Sequence, residues 1–279
     1  MIQRMKKTEK QKNRERKTAE KWRAKLIWHR IVELLYPTTC VFCGTVASEG
    51  ICESCRKEVK ILQEPLCKKC GKPVRYEEQE YCYDCQKIIH FYEQGRSLWL
   101  HKMPVSQSIY QFKYRNRRVF AQYYAEQMAG QFADLLRKWQ IEVIIPVPIH
   151  KSKRRKRGYN QAEVLAKELS GRLEVPMEAF AVRRVQKTNA LKEMNPNERR
   201  RALSGAFAVE DDWKPKKKVL LVDDIYTTGS TVDELARILK ENGVQKYISD
   251  YKCWTRFLII CYTKNSSLAE GKQRQSDEM

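Results

Sequence analysis

Val219–Thr231 reads VLLVDDIYTTGST, and this stretch decides the fold. Val219, Leu220, Leu221 and Val222 run without polar alternation, as in a parallel strand buried on both faces. Asp223 and Asp224 are expected to end that strand. Thr227, Thr228, Gly229, Ser230 and Thr231 then lead to Val232, Leu235, Ala236 and Leu239, whose spacing predicts a helix. A helix N-terminus offers unpaired N–H groups and the positive end of its dipole, and a glycine lets the backbone approach a ligand, so a phosphate fits there. The Thr and Ser hydroxyls add donors. Two carboxylates just upstream suit sugar hydroxyls, or Mg2+ on a diphosphate. Together these residues describe a cradle for ribose 5-phosphate, in which a branched residue at Gly229 should block the ligand while the fold survives.

The chain of 279 residues is 42% hydrophobic, enough for a sizeable core. It has no apolar run of about 18 residues, so no membrane span is expected. The first residues, MIQRMKKTEKQKNRERK, are basic and lack the apolar stretch of an export signal. A cytoplasmic protein is therefore expected. Apolar spacing predicts helices over Trp22–Leu35, Tyr123–Trp139 and Ala162–Leu173 and a buried strand over Ile141–Val147, while Ile88–Tyr110 reads as strands or a hairpin. The alternation of strand and helix argues a parallel α/β sheet.

Eight of the ten cysteines form four CxxC pairs: Cys40 and Cys43, Cys52 and Cys55, Cys67 and Cys70, Cys82 and Cys85. Without an export signal this pattern reads as zinc rather than disulfides. Two such knuckles complete one tetrahedral four-cysteine site, so four pairs hold two structural zinc ions. Pairing in chain order closes short loops, and an interleaved pairing closes longer ones at greater entropy cost. Gly44 and Gly71 follow their knuckles where a tight turn needs them. Cys253 and Cys261 stand outside the pattern as expected free thiols.

The formal net charge is +21, and the cations are clustered. Lys113, Arg115, Arg117 and Arg118 form one group, and Lys153, Arg154, Arg155 and Lys156 the centre of another. Arg199–Arg201 and Lys216–Lys218 add two more. A small diphosphate needs two or three cations, whereas four clusters suit the backbone of single-stranded DNA. Tyr110, Phe112, Tyr114, Phe120, Tyr123 and Tyr124 surround the first cluster, where bases could stack on any that are not core. No base-reading element is evident, so binding should tolerate sequence.

VLLVDDIYTTGST resembles the phosphoribosyl-diphosphate (PRPP) signature of the type I phosphoribosyltransferases. A double zinc ribbon joined to such a domain resembles the ComF family, whose members are tied to competence and DNA uptake. Other segments agree with it. IIPVPIH (Ile144–His150) is similar to the family's PVP strand end, and Arg157, Gly158, Tyr159, Asn160 and Gln161 match its RG(F/Y)NQ motif. Thr188 and ERRRALSGAF (Glu198–Phe207) resemble its T...ERR.N..GAF pattern.

The resemblance implies a type I phosphoribosyltransferase-like parallel sheet flanked by helices, preceded by a small Cys-rich double zinc ribbon. The expected organisation is a basic segment and helix over 1–36, the ribbon over 37–87, the phosphoribosyltransferase-like domain over 88–262 and a polar tail over 263–279. Implied sites are Asp223 and Asp224 for the sugar and any catalysis, Thr227–Thr231 for the 5-phosphate, and Pro148, His150 and Lys151 for a diphosphate. Implied partners are single-stranded DNA, PRPP with Mg2+ or ribose 5-phosphate, and other DNA-uptake proteins. The alternative is an active transferase moving ribose 5-phosphate to an acceptor, for which His150 and Tyr159 are acid/base candidates. Leu191 and Ala202 replace Gln and Asn of relatives near the site. After Gly243 the chain departs from the family, and FLIIC (Phe257–Cys261) is either the final strand after an insertion or altered sequence.

Overall fold

The computed structural model describes residues 21–23, 27–28, 37–187, 194–246 and 254–262. The expectations for 1–20, Thr188, Leu191, Cys253 and 263–279 lie outside the described residues, as does most of the Trp22–Leu35 helix. The chain forms two compact units, Met1–Arg56 and Lys57–Met279, divided between the two cysteine clusters.

The elements in chain order are α1 Glu53–Glu58, α2 Tyr83–Lys87, β1 Gln94–Leu100, α3 Val105–Tyr114, α4 Phe120–Trp139, β2 Val143–Pro146, α5 Lys151–Arg157, α6 Gln161–Leu173, β3 Val182–Arg184, α7 Pro196–Leu203, β4 Phe207–Val209, β5 Lys218–Tyr226, α8 Ser230–Lys246 and β6 Trp254–Tyr262. Four strands form one sheet in the order β1-β6-β5-β2. Every neighbouring pair in it is parallel. β3 and β4 pair antiparallel beside it.

Val219, Leu220, Leu221 and Val222 are fully buried, as the unbroken apolar run requires. Val143, Ile145, Val219 and Leu221 share one apolar cluster with Val232, Leu235 and Leu239 of α8. Ile144 and Leu220 alternate to the other face and are also fully buried. There α4 and α6 pack on each other and on the sheet.

Two expectations change, and one of two open readings is met. β5 does not end at the carboxylates but runs to Tyr226, because β6 continues beside it and pairs Asp223 with Ile259 and Ile225 with Cys261. FLIIC lies within β6, one of the sheet's two inner strands, between β1 and β5, which agrees with its reading as a strand. Ile88–Tyr110 is no hairpin: it holds strand β1 and then the start of helix α3, whose Val105, Ile109 and Phe112 are buried at helical spacing.

Candidate functional site

The carboxylates lie at the C-terminal end of β5, the end of a parallel sheet where ligands bind in open α/β folds. Asp224 is 8% exposed and forms an ion pair with Lys113 of α3, Nζ to Oδ1 2.9 Å. Asp223 Oδ1 accepts the Asp224 backbone N–H at 2.8 Å. Burial, and then the Asp224 charge, push the Asp223 carboxyl up to about 7, against the opposing Lys113 and Arg184 charges. Burial also pushes the Arg184 guanidinium down. Lys153, though largely exposed, is pushed down by desolvation and then by Arg184, Arg157 and Lys113. Acids and bases thus meet at one strand end.

The turn that follows has the predicted form. Gly229 is left-handed at φ 78°. Its carbonyl accepts the Asp233 N–H at 2.9 Å and so starts α8, leaving the first-turn N–H groups at the turn. Thr228 Oγ1 and Ser230 Oγ lie 2.8 Å apart. Arg199 of α7 donates to Thr227 Oγ1 at 2.9 Å. A small hollow of about 20 Å³ is lined by Asp223, Thr227, Gly229, Ser230, Thr231 and their neighbours. The space at Gly229 is closed by Tyr226 of the chain itself: a Cβ there would lie 2.8 Å from its ring Cζ. A branched residue at Gly229 therefore tests packing before it tests ligand binding, against the expectation from sequence.

The RGYNQ residues join the end of α5 to the start of α6. Gly158 is left-handed at φ 80° and ends α5. Tyr159 is buried and donates to the Phe112 carbonyl. Burial pushes its hydroxyl up. Asn160 caps α6, accepting from the Ala162 N–H at 3.2 Å, and its amide donates to the Val147 carbonyl at 3.0 Å. Arg157 donates to Gln161 at 2.8 Å and to the Tyr114 hydroxyl at 3.1 Å. His150 caps α5 by accepting from the Ser152 N–H at 3.2 Å. Pro148 is half-buried before it, and Lys151 is exposed at the first position of α5.

The basic clusters divide. Lys113 is turned inward to Asp224, whereas Arg115, Arg117 and Arg118 are exposed. Arg154, Arg155 and Lys156 are exposed on α5, with Arg154 paired to Glu163 at 2.8 Å. Of the surrounding aromatics, Phe112, Phe120 and Tyr124 are core, and Tyr123 is half-buried with its ring stacked on Trp99. Tyr110 and Tyr114 are 54% and 47% exposed with ring centroids 5.0 Å apart. The Arg157 guanidinium lies 5.0 Å from the Tyr114 ring centroid. Arg184 and Arg199 were not singled out from sequence as members of the carboxylate end and the turn; both sit in Arg runs that give no sign of which member faces inward.

Cys40, Cys43, Cys52 and Cys55 converge, as do Cys67, Cys70, Cys82 and Cys85, with the sulfurs of each group within 4.8 Å of one another. The clusters follow chain order, and none of the eight is in a disulfide. Four sulfurs at about 2.3 Å from a tetrahedral zinc lie roughly 3.8 Å apart. Cys43 and Cys52 are 3.5 Å apart, and Cys70 and Cys82 3.6 Å, so the donor sets fit. Anaerobic purification is expected to yield two zinc ions per chain, with Cys40→Ser or Cys67→Ser each losing one. Loss of both ions from either variant would contradict the chain-order pairing.

Residues 31–86 match the Double zinc ribbon domain family and residues 158–253 the Phosphoribosyl transferase domain family. The chain is 36% identical over 148 residues to Competence protein F of Haemophilus influenzae, covering 51% of this chain and 65% of that protein. It is 31% identical over 143 residues to the DNA utilization protein YhgH of Escherichia coli K12, covering 50% and 63%. With Competence protein ComFC of Bacillus subtilis it shares 25% identity over 159 residues, 57% and 62% of the two chains. The matches thus span just under two thirds of these relatives' own length. The solved hypoxanthine phosphoribosyltransferase of Trypanosoma cruzi aligns with TM-score 0.32 and 12% identity over 53% of this chain and 70% of that one. The chain thus carries a double zinc ribbon followed by a phosphoribosyl transferase domain, and over about half its length it is similar to competence and DNA utilization proteins.

Proposed function

We propose that the chain serves DNA uptake by binding single-stranded DNA on its basic, aromatic face and a phosphoribosyl ligand at the end of β5. The observation that carries this reading is the juxtaposition of Asp223 and Asp224 with a left-handed Gly229 turn opening α8. The turn's N–H and hydroxyl groups suit a 5-phosphate and the carboxylates suit ribose hydroxyls. Lys113 already neutralises Asp224, which favours sugar contacts there over Mg2+ held by the protein; Mg2+ would arrive with a diphosphate. The competence and DNA utilization names of the relatives support the DNA side. No helix among the described residues is long and apolar enough to cross a membrane.

A second reading, transfer of the ribose phosphate to an acceptor, draws on Asp223, whose carboxyl near 7 can exchange a proton at neutral pH. In it, Asp223 and Asp224 would stabilise the positive sugar carbon, and Lys153 and its neighbours the departing diphosphate.

Calorimetry with ribose 5-phosphate, inorganic phosphate and PRPP with Mg2+ tests the ligand site. Wild-type affinity for ribose 5-phosphate in Asp223→Asn with Asp224→Asn would refute it. The DNA face is tested separately by salt titration. Replacing Lys153, Arg154, Arg155 and Lys156 by Ala should flatten the slope of log affinity against log salt by roughly 0.7 for each phosphate that the variant no longer neutralises. Tyr110→Ala with Tyr114→Ala should instead weaken binding by about 1–3 kcal/mol per stacked base with the slope unchanged. A slope and affinity untouched by either set would exclude this face.

A further inference from the structure

The turn at Thr227–Thr231 rests on the second cysteine cluster. Tyr226 closes the space beside Gly229, with ring Cζ and Cε2 2.8 and 3.0 Å from where a Cβ would lie. It is 3% exposed, and its hydroxyl lies 3.0 Å from that of the fully buried Tyr92. Both tyrosines belong to one apolar cluster with Cys67, Cys70 and Cys82. Two lysines of the same knuckle hold the pair from above: Lys72 Nζ is 5.5 Å from the Tyr226 ring centroid and Lys69 Nζ 5.5 Å from that of Tyr92. Lys72 is fixed in turn by Asp84 at 2.7 Å.

The knuckle is held against the sheet at two points. The Gly95 N–H of β1 donates to the Lys69 carbonyl at 2.8 Å, and a Cβ on Gly71 would lie 2.7 Å from the Gly95 carbonyl oxygen. A run of contacts thus leads from the second cysteine cluster through Tyr92 and Tyr226 to Gly229. The first cluster belongs to the other compact unit.

We propose that Tyr226 is a positioning residue through which the metal held by Cys67, Cys70, Cys82 and Cys85 keeps the phosphate turn in its binding shape, whereas the metal of the first cluster has no part in it. The inference rests on the zinc reading and on no particular ligand. Without an ion the four crowded sulfurs have nothing to draw them together, the knuckle loosens, and Tyr226 loses the wall that presses it against Gly229.

Amide hydrogen exchange of the full zinc-loaded chain, followed by mass spectrometry of the peptide spanning Thr227–Thr231, tests it. Cys67→Ser should speed exchange in that peptide about tenfold and Cys40→Ser should leave it within about twofold of wild type. Should Cys67→Ser fail to fold, Tyr226→Leu and Tyr226→Phe, both retaining two zinc ions, decide the matter. Tyr226→Leu should speed exchange in the turn, and Tyr226→Phe, which keeps the ring, should restore protection. Wild-type protection of the turn in Tyr226→Leu overturns the proposal, as does equal deprotection by Cys40→Ser. Because exchange is read without ligand, a failed ribose 5-phosphate titration refutes the phosphoribosyl site alone.

Discussion

Lys113→Met is expected to destabilise the folded chain by about 3 kcal/mol at pH 8, because it takes the Lys113 cation away from the Asp224 carboxylate in a largely buried place. The side chains of Lys113 and Asp224 are 15% and 11% exposed, so the value sits at the low end for a fully buried pair. The loss depends on pH in a definite direction. The folded Asp223 carboxyl is raised to about 7 from an ordinary 3.8, so the stability its proton contributes is complete below about pH 4 and is lost as pH rises through 7. Lys113 is one of the charges holding that value down. Its removal raises Asp223 further, and the mutant should lag wild type more at pH 8 than at pH 5. Denaturant unfolding at the two pH values checks this. Adding Asp224→Asn to Lys113→Met should recover most of the loss, since the charge that Lys113 had balanced goes with it. A single mutant within 0.5 kcal/mol of wild type, taken as roughly the spread of neutral surface changes, would mean the pair is solvated and uncoupled.

Gly229→Ala is expected to cost a comparable amount, about 3 kcal/mol, from two separable sources. A left-handed φ of 78° accounts for about 1 kcal/mol with any L side chain. The remainder comes from driving a methyl group into the Tyr226 ring, 2.8 Å from its Cζ. Thermal or denaturant unfolding of Gly229→Ala, Tyr226→Leu and the double variant separates them. The double variant should be more stable than the sum of the two single losses predicts, by roughly the clash, while the backbone cost persists. Strict additivity would show that the turn gives way without engaging Tyr226.

The strand, turn and helix of Val219–Leu239 were legible because their information is local: an unbroken apolar run, a glycine and a helical period. The cysteine clusters were legible because CxxC spacing fixes the ligand geometry within a few residues. What could not be read was set by partners distant in sequence. Asp223 and Asp224 look like the end of a strand until β6, more than 30 residues away, pairs beyond them. Lys113 reads as one cation of a surface group, and only the packing of α3 turns it to Asp224. Gly229 reads as room for a ligand, although its neighbour three residues back takes that room. His150 and Asn160 read as site residues and serve as helix caps, a role in which the same polar side chains occur. The split of Tyr110 and Tyr114 from Phe112 needed the buried face of α3 to be known.

The order β1-β6-β5-β2 places β6, the last strand among the described residues, between two made earlier. During synthesis, the strands Gln94–Leu100 and Lys218–Tyr226 must wait with bare hydrogen-bonding edges until Trp254–Tyr262 has left the ribosome. In the finished sheet the two bond to β6 and not to each other. Chains stalled or cut before residue 254 therefore carry two sticky borders rather than a shortened fold, and they invite pairing with each other. The nascent sheet is at its most vulnerable once β5 has been made and β6 has not.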